Sequence, residues 1–237
     1  TLTTTSVRNA VSGLAPLAFG QLFRPGDLPS GAVLAGLQLD VKNRWPDGSV
    51  CFGLVSGLVN LVADAPVALG LQAGGGPSGP VLSTDRLRTM ALAASIDAGA
   101  FGQASWTDAD WAAPFATWAA GPMMSSWKFR KPIGSDAQLV AWLELTLWSD
   151  GSVEVLPSVE NASWMVPAPS NKTAIFVFTL GGRERFRRSI DLLHGQRAPL
   201  LSGSATSHWL GNAHDITLRH DSAYLQSTGM LPHYQAQ

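Results

Sequence analysis

The sequence predicts an all-β protein, an antiparallel barrel or sandwich built on long hairpins with a short helical insertion, and three observations carry that expectation. A Trp-x-Asp-Gly-Ser-Val phrase occurs twice, at residues 45–50 and 148–153. Each copy follows a run in which residue types alternate with a period of two. A further apolar run at residues 173–180, Ala174-Ile175-Phe176-Val177-Phe178 at its centre, reads as a buried strand.

Residues 34–61 form the first hairpin. Leu37, Leu39, Val41 and Trp45 fall on one face, with Gln38, Asp40, Lys42 and Arg44 on the other, the pattern of a half-buried strand. Pro46-Asp47-Gly48 then supplies a fixed φ, a side chain that bonds its own backbone and a residue that accepts positive φ. Such a triplet suits a type I turn closed by a glycine bulge. The return strand holds Cys51, the only cysteine, between Val50 and Phe52, where it reads as a small buried hydrophobe rather than a nucleophile. The fold therefore does not rest on disulfides.

In the second hairpin Leu139, Ala141, Leu143, Leu145 and Leu147 alternate with Val140, Trp142, Glu144, Thr146 and Trp148 before Ser149-Asp150-Gly151 reverses the chain towards Asn161. Apolar residues on both parities are expected of a central or sandwiched strand. The flanks of the two copies match poorly, so the repeat reads as shared turn chemistry rather than a duplicated half-domain. Residues 84–136 lack sustained alternation and read as an irregular Ala- and Trp-rich insertion. There Thr107-Asp108-Ala109-Asp110 would cap a short helix, limited by Pro114, with Trp111, Phe115 and Trp118 at helical spacing. The Gly74-Gly75-Gly76-Pro77-Ser78-Gly79-Pro80 stretch reads as an exposed loop, without the strand-to-helix context or the lysine of a phosphate loop.

After Gly181-Gly182 comes a basic run. On a regular strand Arg183, Arg185 and Arg187 share one face, a ladder suited to phosphate, sulfate or uronate groups. The competing reading is a solvated edge that Glu184 neutralises and whose charges discourage edge-to-edge pairing. The 237 residues are expected to form one β domain, 1–237, with a C-terminal extension over about 205–237.

Sixteen Lys plus Arg against seventeen Asp plus Glu leave a net charge of −1, so no global field gathers nucleic acid or an anionic membrane. No apolar run approaches the ~18 residues of a membrane span, and the opening Thr1-Leu2-Thr3-Thr4-Thr5 lacks signal-peptide features. A soluble protein, free or within a virion, is expected. Charged residues make up only 14% of the chain, which points to a surface covered by protein neighbours or by further copies of the chain.

Several phrases in order along the chain carry a family resemblance. They are Phe19-Gly20-Gln21-Leu22-Phe23-Arg24-Pro25-Gly26-Asp27-Leu28-Pro29-Ser30-Gly31, Arg44-Trp45-Pro46-Asp47-Gly48-Ser49-Val50 and Trp118-Ala119-Ala120-Gly121-Pro122 with Trp127. The hairpin ending Val159-Glu160-Asn161, then His220-Asp221-Ser222-Ala223-Tyr224-Leu225 with Pro232-His233-Tyr234, complete the set. Together they resemble the amino-terminal β-barrel domain of the exo-rhamnogalacturonan lyase-type family, a domain also associated with tail or fibre proteins of bacteriophages. The resemblance implies a barrel and an association with polysaccharide. It brings no catalytic motif, since the helical catalytic body of those lyases has no counterpart among these phrases.

All five histidines, His194, His208, His214, His220 and His233, lie in the last 44 residues. His208, His214, Asp215, His220 and Asp221 are the candidate ligands for a divalent metal, although no tight ligand pair such as His-Glu-x-x-His is present. A lyase would need a base to take the proton alpha to a uronate carboxylate and a cation to hold the enolate, roles open to His220 or Tyr224 and to Arg219. Of the nine tryptophans, Trp106, Trp111, Trp118 and Trp127 are the candidate sugar-stacking residues. The leading expectation is a non-catalytic structural or binding module of a phage-like particle with polysaccharide contact and no obligatory cofactor. The alternative is a polysaccharide lyase or its accessory carbohydrate-binding domain.

Overall fold

The computed structural model describes residues 3–8, 12–162, 166, 168–201, 207–209 and 224–228, with backbone only at 3–8, 137, 207–209 and 224–228. In chain order the strands are β1 (Thr3–Arg8), β2 (Gly13–Leu22), β3 (Gln38–Arg44), β4 (Val50–Leu61), β5 (Val67–Leu71), β6 (Ala94–Asp97), β7 (Gln103–Trp106) and β8 (Ala116–Ala119). They continue with β9 (Met124–Ile133), β10 (Asp136–Trp148), β11 (Val153–Asn161), β12 (Lys172–Leu180), β13 (Arg183–Leu192), β14 (Gln196–Pro199), β15 (Ser207–Trp209) and β16 (Tyr224–Thr228). One short helix, α1 (Asp85–Thr89), precedes β6. The all-β class is as the sequence predicts.

Closure is not. The strands form open sheets ordered β16-β1-β5, β2-β4-β3, β13-β12-β6-β7 and β14-β11-β10-β9-β8, with β15 also paired to β11. Each ends in edge strands, and none closes into a barrel. Chain contacts divide the molecule into two compact units, Thr1–Leu82 with Ala119–Ser125 and Leu218–Gln237, and Ser83–Trp118 with Ser126–Thr217. Residues 207–209 and 224–228 add strands to the sheets: β15 pairs with β11, and β16 with β1.

In the first unit, β4 is flanked by β2 and β3. One face of this sheet buries Ala15, Leu17, Phe19, Val55 and Val59 against Phe23, Leu28, Leu34 and Leu71. Both Trp-x-Asp-Gly-Ser turns adopt the same geometry. The Gly48 and Gly151 N–H groups donate to Trp45 and Trp148 carbonyls at 2.9 Å, and the two glycines sit at φ +83° and +86°. Asp47 Oδ1 and Asp150 Oδ1 each accept the backbone N–H and the hydroxyl of the serine two residues on. These bonds hold the Asp47 carboxyl below its ordinary range, the Ser49 hydroxyl contributing most. The turn is tied to residues 23–28: Trp45 Nε1–H donates to Phe23 O, Gly26 N–H to Ser49 Oγ and Val50 N–H to Leu28 O. Two details depart from the sequence reading. Cys51 is only half-buried, and Gln38, assigned to the polar face, is 5% exposed.

The second unit buries the odd parity of β10, with Leu139, Ala141, Leu143, Leu145 and Leu147 all at 0% exposure. Trp127, Phe129 and Ile133 of β9 and Phe176, Phe178 and Leu180 of β12 are buried in the same unit. Residues 84–136 are not an irregular insertion, because β6, β7, β8 and all of β9 lie there. The strands are short and separated by Gly and Pro, so their alternation runs over too few residues to register, except in β9. The Thr107 cap does form a capping box with Asp110, but it opens a single 3-10 turn, Asp108–Ala112. Pro114 ends it, leaving Phe115 beyond the turn and placing Trp118 on β8.

Trp111 is fully buried, its Nε1–H donating to Leu92 O at 2.9 Å and its ring edge-on to Phe129 at 5.1 Å. Trp111→Phe should therefore cost about 2 kcal/mol, from a smaller ring and an orphaned buried carbonyl. Urea unfolding should show a lower midpoint at unchanged slope. A midpoint equal to that of the parent chain would mean that the Leu92 carbonyl finds another donor.

Candidate functional site

The even parity of β10 faces away from the core and is the chemically richest surface among the described residues. Val140, Trp142, Glu144 and Thr146 are half-buried there, while the odd positions are sealed. Their register partners on β11 are Glu160, Ser158, Leu156 and Glu154. Across β9, Ser126 Oγ lies 3.1 Å from Thr146 Oγ1 and Lys128 Nζ 3.5 Å from Glu144. On the far side, Arg197 of β14 is in register with Glu160.

Strand pairing assembles a row of alternating rings and guanidinium groups across this face. Arg130 Cζ stands 4.1 Å from the Phe115 ring centroid and 5.7 Å from that of Trp142. Trp142 also meets the edge of Phe115 at 5.3 Å and carries the Arg197 guanidinium at 5.3 Å. Phe115 is tied to the sheet by its N–H to Lys128 O, 2.8 Å. Beside the row, Lys128 Nζ lies 6.0 Å from the Trp118 ring, which is 54% exposed. Strands about 4.8 Å apart make a row that crosses four spacings, from β8 to β14, roughly 19 Å long.

Charge is distributed unevenly along it. Glu144 accepts from Arg197 Nη2 at 3.1 Å and pairs with Lys128, so one carboxylate serves two cations. Arg197 Nε–H donates to Ser158 Oγ at 2.9 Å. Arg130 makes no ion pair or hydrogen bond among the described residues. Each cation–π contact at such partly exposed positions contributes about 0.5–1 kcal/mol, and the exposed ion pairs less. The row thus contributes little to stability. The buried Trp142 Nε1 has no acceptor among the described residues.

The residues singled out from sequence fare differently. Trp106, Trp111 and Trp127 are core residues, 1%, 0% and 5% exposed, and present no ring to a ligand. Trp118 alone of the four lies on the surface, next to the row. The arginine ladder is broken by a bulge opposite Phe178/Thr179: Arg183 pairs with Leu180 and Arg187 with Val177, positions of opposite parity. Arg187 forms a forked pair with Glu184, holding that carboxyl below its ordinary range. His214, Asp215, Arg219, His220 and Asp221 lie outside the described residues. The backbone of His208 is in register with Glu154, and Tyr224 opens β16 opposite Arg8. Among the described residues no group of three or more His, Cys, Asp or Glu could hold a metal ion, and no helix is long and apolar enough to cross a membrane.

Sequence reasoning missed Arg130, Glu144 and Arg197 as site residues and did not single out Trp142. A signal for part of the row was present. Trp127-Lys128-Phe129-Arg130 alternates as β9 does, and Trp142-Leu143-Glu144-Leu145-Thr146 places polar groups on one parity of an otherwise apolar strand. Comparison with protein-family models, curated proteins and solved structures finds no match.

Proposed function

We propose that the chain is a non-catalytic binding module whose ligand is a polysaccharide lying across the outer face of the six-stranded sheet. The observation that carries this reading is the row Phe115, Arg130, Trp142 and Arg197, flanked by the exposed Trp118 and by Glu144, Thr146 and Ser158. Sugars offer CH-rich faces and a dense ring of hydroxyls. An aromatic surface set among fixed donors and acceptors complements both. The resemblance to the amino-terminal domain of the exo-rhamnogalacturonan lyase-type family supports the same reading, and its second association extends our proposal to a component of a phage-like tail or fibre.

The test is direct titration of the chain with a panel of plant and bacterial surface polysaccharides. Trp118→Ala should weaken binding about tenfold, about 1.4 kcal/mol, with only a small change in thermal midpoint because the ring is half exposed. No binding across the panel, or equal affinity in the variant, would overturn the assignment of this face.

A further inference from the structure

We infer that Arg130 reads an anionic substituent, a carboxylate or a sulfate, on the bound sugar chain. The inference rests on the polysaccharide reading of this face and goes beyond it by naming the ligand's chemistry.

Three observations converge. First, Arg130 is held by rings: its guanidinium lies 4.1 Å from the Phe115 centroid and 5.7 Å from that of Trp142. Ring contacts of this kind hold a guanidinium without engaging a carboxylate, so N–H donors on its open edge are pre-organised for an oxyanion and little side-chain entropy is lost on binding. Second, those donors are unused among the described residues, whereas the two neighbouring cations are not. Lys128 and Arg197 share Glu144 at 3.5 and 3.1 Å. Of the three cations on this face, Arg130 is thus the one that makes no ion pair among the described residues. Third, the side chain is exposed and stands between two rings, so an approaching anion meets the donors without displacing a protein carboxylate.

Glu154 and Glu160 occupy the same parity but stand in register with Thr146 and Val140, and Arg197 is in register with Glu160. Glu144 lies with Lys128 and Arg197, Glu160 stands opposite Arg197, and Arg130 makes no ion pair with a carboxylate among the described residues. A neutral glycan would satisfy the hydroxyl-bonding groups and leave Arg130 unmatched. An acidic one satisfies it with two parallel hydrogen bonds.

The experiment compares a neutral, a uronate-bearing and a sulfate-bearing polymer of similar length, titrated against the full chain at low and at near-physiological salt. The expected result is a tenfold or greater preference for one anionic polymer over the neutral one, reduced to twofold or less in both Arg130→Gln and Arg130→Lys. The lysine variant keeps the charge and loses the planar fork, so it separates recognition from general attraction. The better of the two anionic polymers identifies the substituent. A parent chain without preference, or a preference that survives in both variants, overturns the role of Arg130 while leaving the glycan face standing. Failure to bind any of the three polymers overturns the role and the polysaccharide reading together.

Discussion

Replacing Gln38 by alanine should lower the unfolding free energy by about 3–5 kcal/mol, a large fraction of what holds a domain of this size together. The carboxamide is 5% exposed and fully engaged. Its Oε1 accepts the N–H groups of Met123 and Met124 at 2.9 and 3.0 Å, and its Nε2 donates to Met124 O at 2.8 Å and Asp40 Oδ2 at 2.7 Å. Alanine leaves three buried or half-buried backbone groups without partners, each costing about 1–3 kcal/mol. Asp40 secures the same segment by accepting Ala120 N–H at 3.0 Å.

Gly121 makes this prediction sharper. A Cβ at that position would lie 2.2 Å from Gln38 Cδ and 2.3 Å from Oε1, so Gly121→Ala expels the carboxamide from its site and incurs much of the same loss. The two substitutions should therefore be strongly non-additive. In the Gln38→Ala background the space is vacant, and Gly121→Ala should add less than about 1 kcal/mol. Urea unfolding of both single variants and the double variant measures the coupling. Additive effects would show that Gly121→Ala acts on something other than the Gln38 carboxamide.

This pair also shows where sequence reasoning stops. The strands of both hairpins are legible, because alternation and Asp-Gly turn chemistry act within a few residues. Asp47 and Asp150 make the bonds their positions imply. Gln38 looks like a solvent-facing polar residue, since its partner Met124 is 86 residues away. The candidate site is illegible for the same reason. Phe115, Arg130, Trp142 and Arg197 come from four segments, and only sheet pairing sets them side by side. A count of tryptophans picks out large rings, and large rings are what a β core consumes, as Trp106, Trp111 and Trp127 show. The arginine ladder failed on one extra residue in β13, which reverses parity and leaves no local mark in the sequence. Barrel closure depends on how distant edges meet, and that is decided by neither hairpin.

Breaking the buried pair of Lys172 and Asp136 should cost about 3 kcal/mol at neutral pH, and the cost should shrink in acid. Lys172 Nζ lies 2.6 Å from Asp136 Oδ2, with side chains 8% and 18% exposed, and 5.4 Å from the Phe101 ring. Burial alone would raise the Asp136 carboxyl. The Lys172 hydrogen bond, the Gln138 and Leu139 N–H groups and the lysine charge outweigh it and hold the carboxyl below its ordinary 3.8. A carboxyl with a depressed native pKa contributes stability that is complete above 3.8 and is lost as pH falls through the lower native value. In Lys172→Met the methylene stem is kept and the charge removed, so burial acts unopposed by the lysine and the carboxyl resists ionisation. That variant is weakest where Asp136 is charged and recovers as it protonates. The parent's advantage is lost as pH falls below 3.8 while the variant's penalty is relieved on protonation, so the gap should narrow from neutral pH into that range. Denaturant midpoints across that range measure the gap. A gap independent of pH would assign the loss to packing around Phe101 rather than to the ion pair.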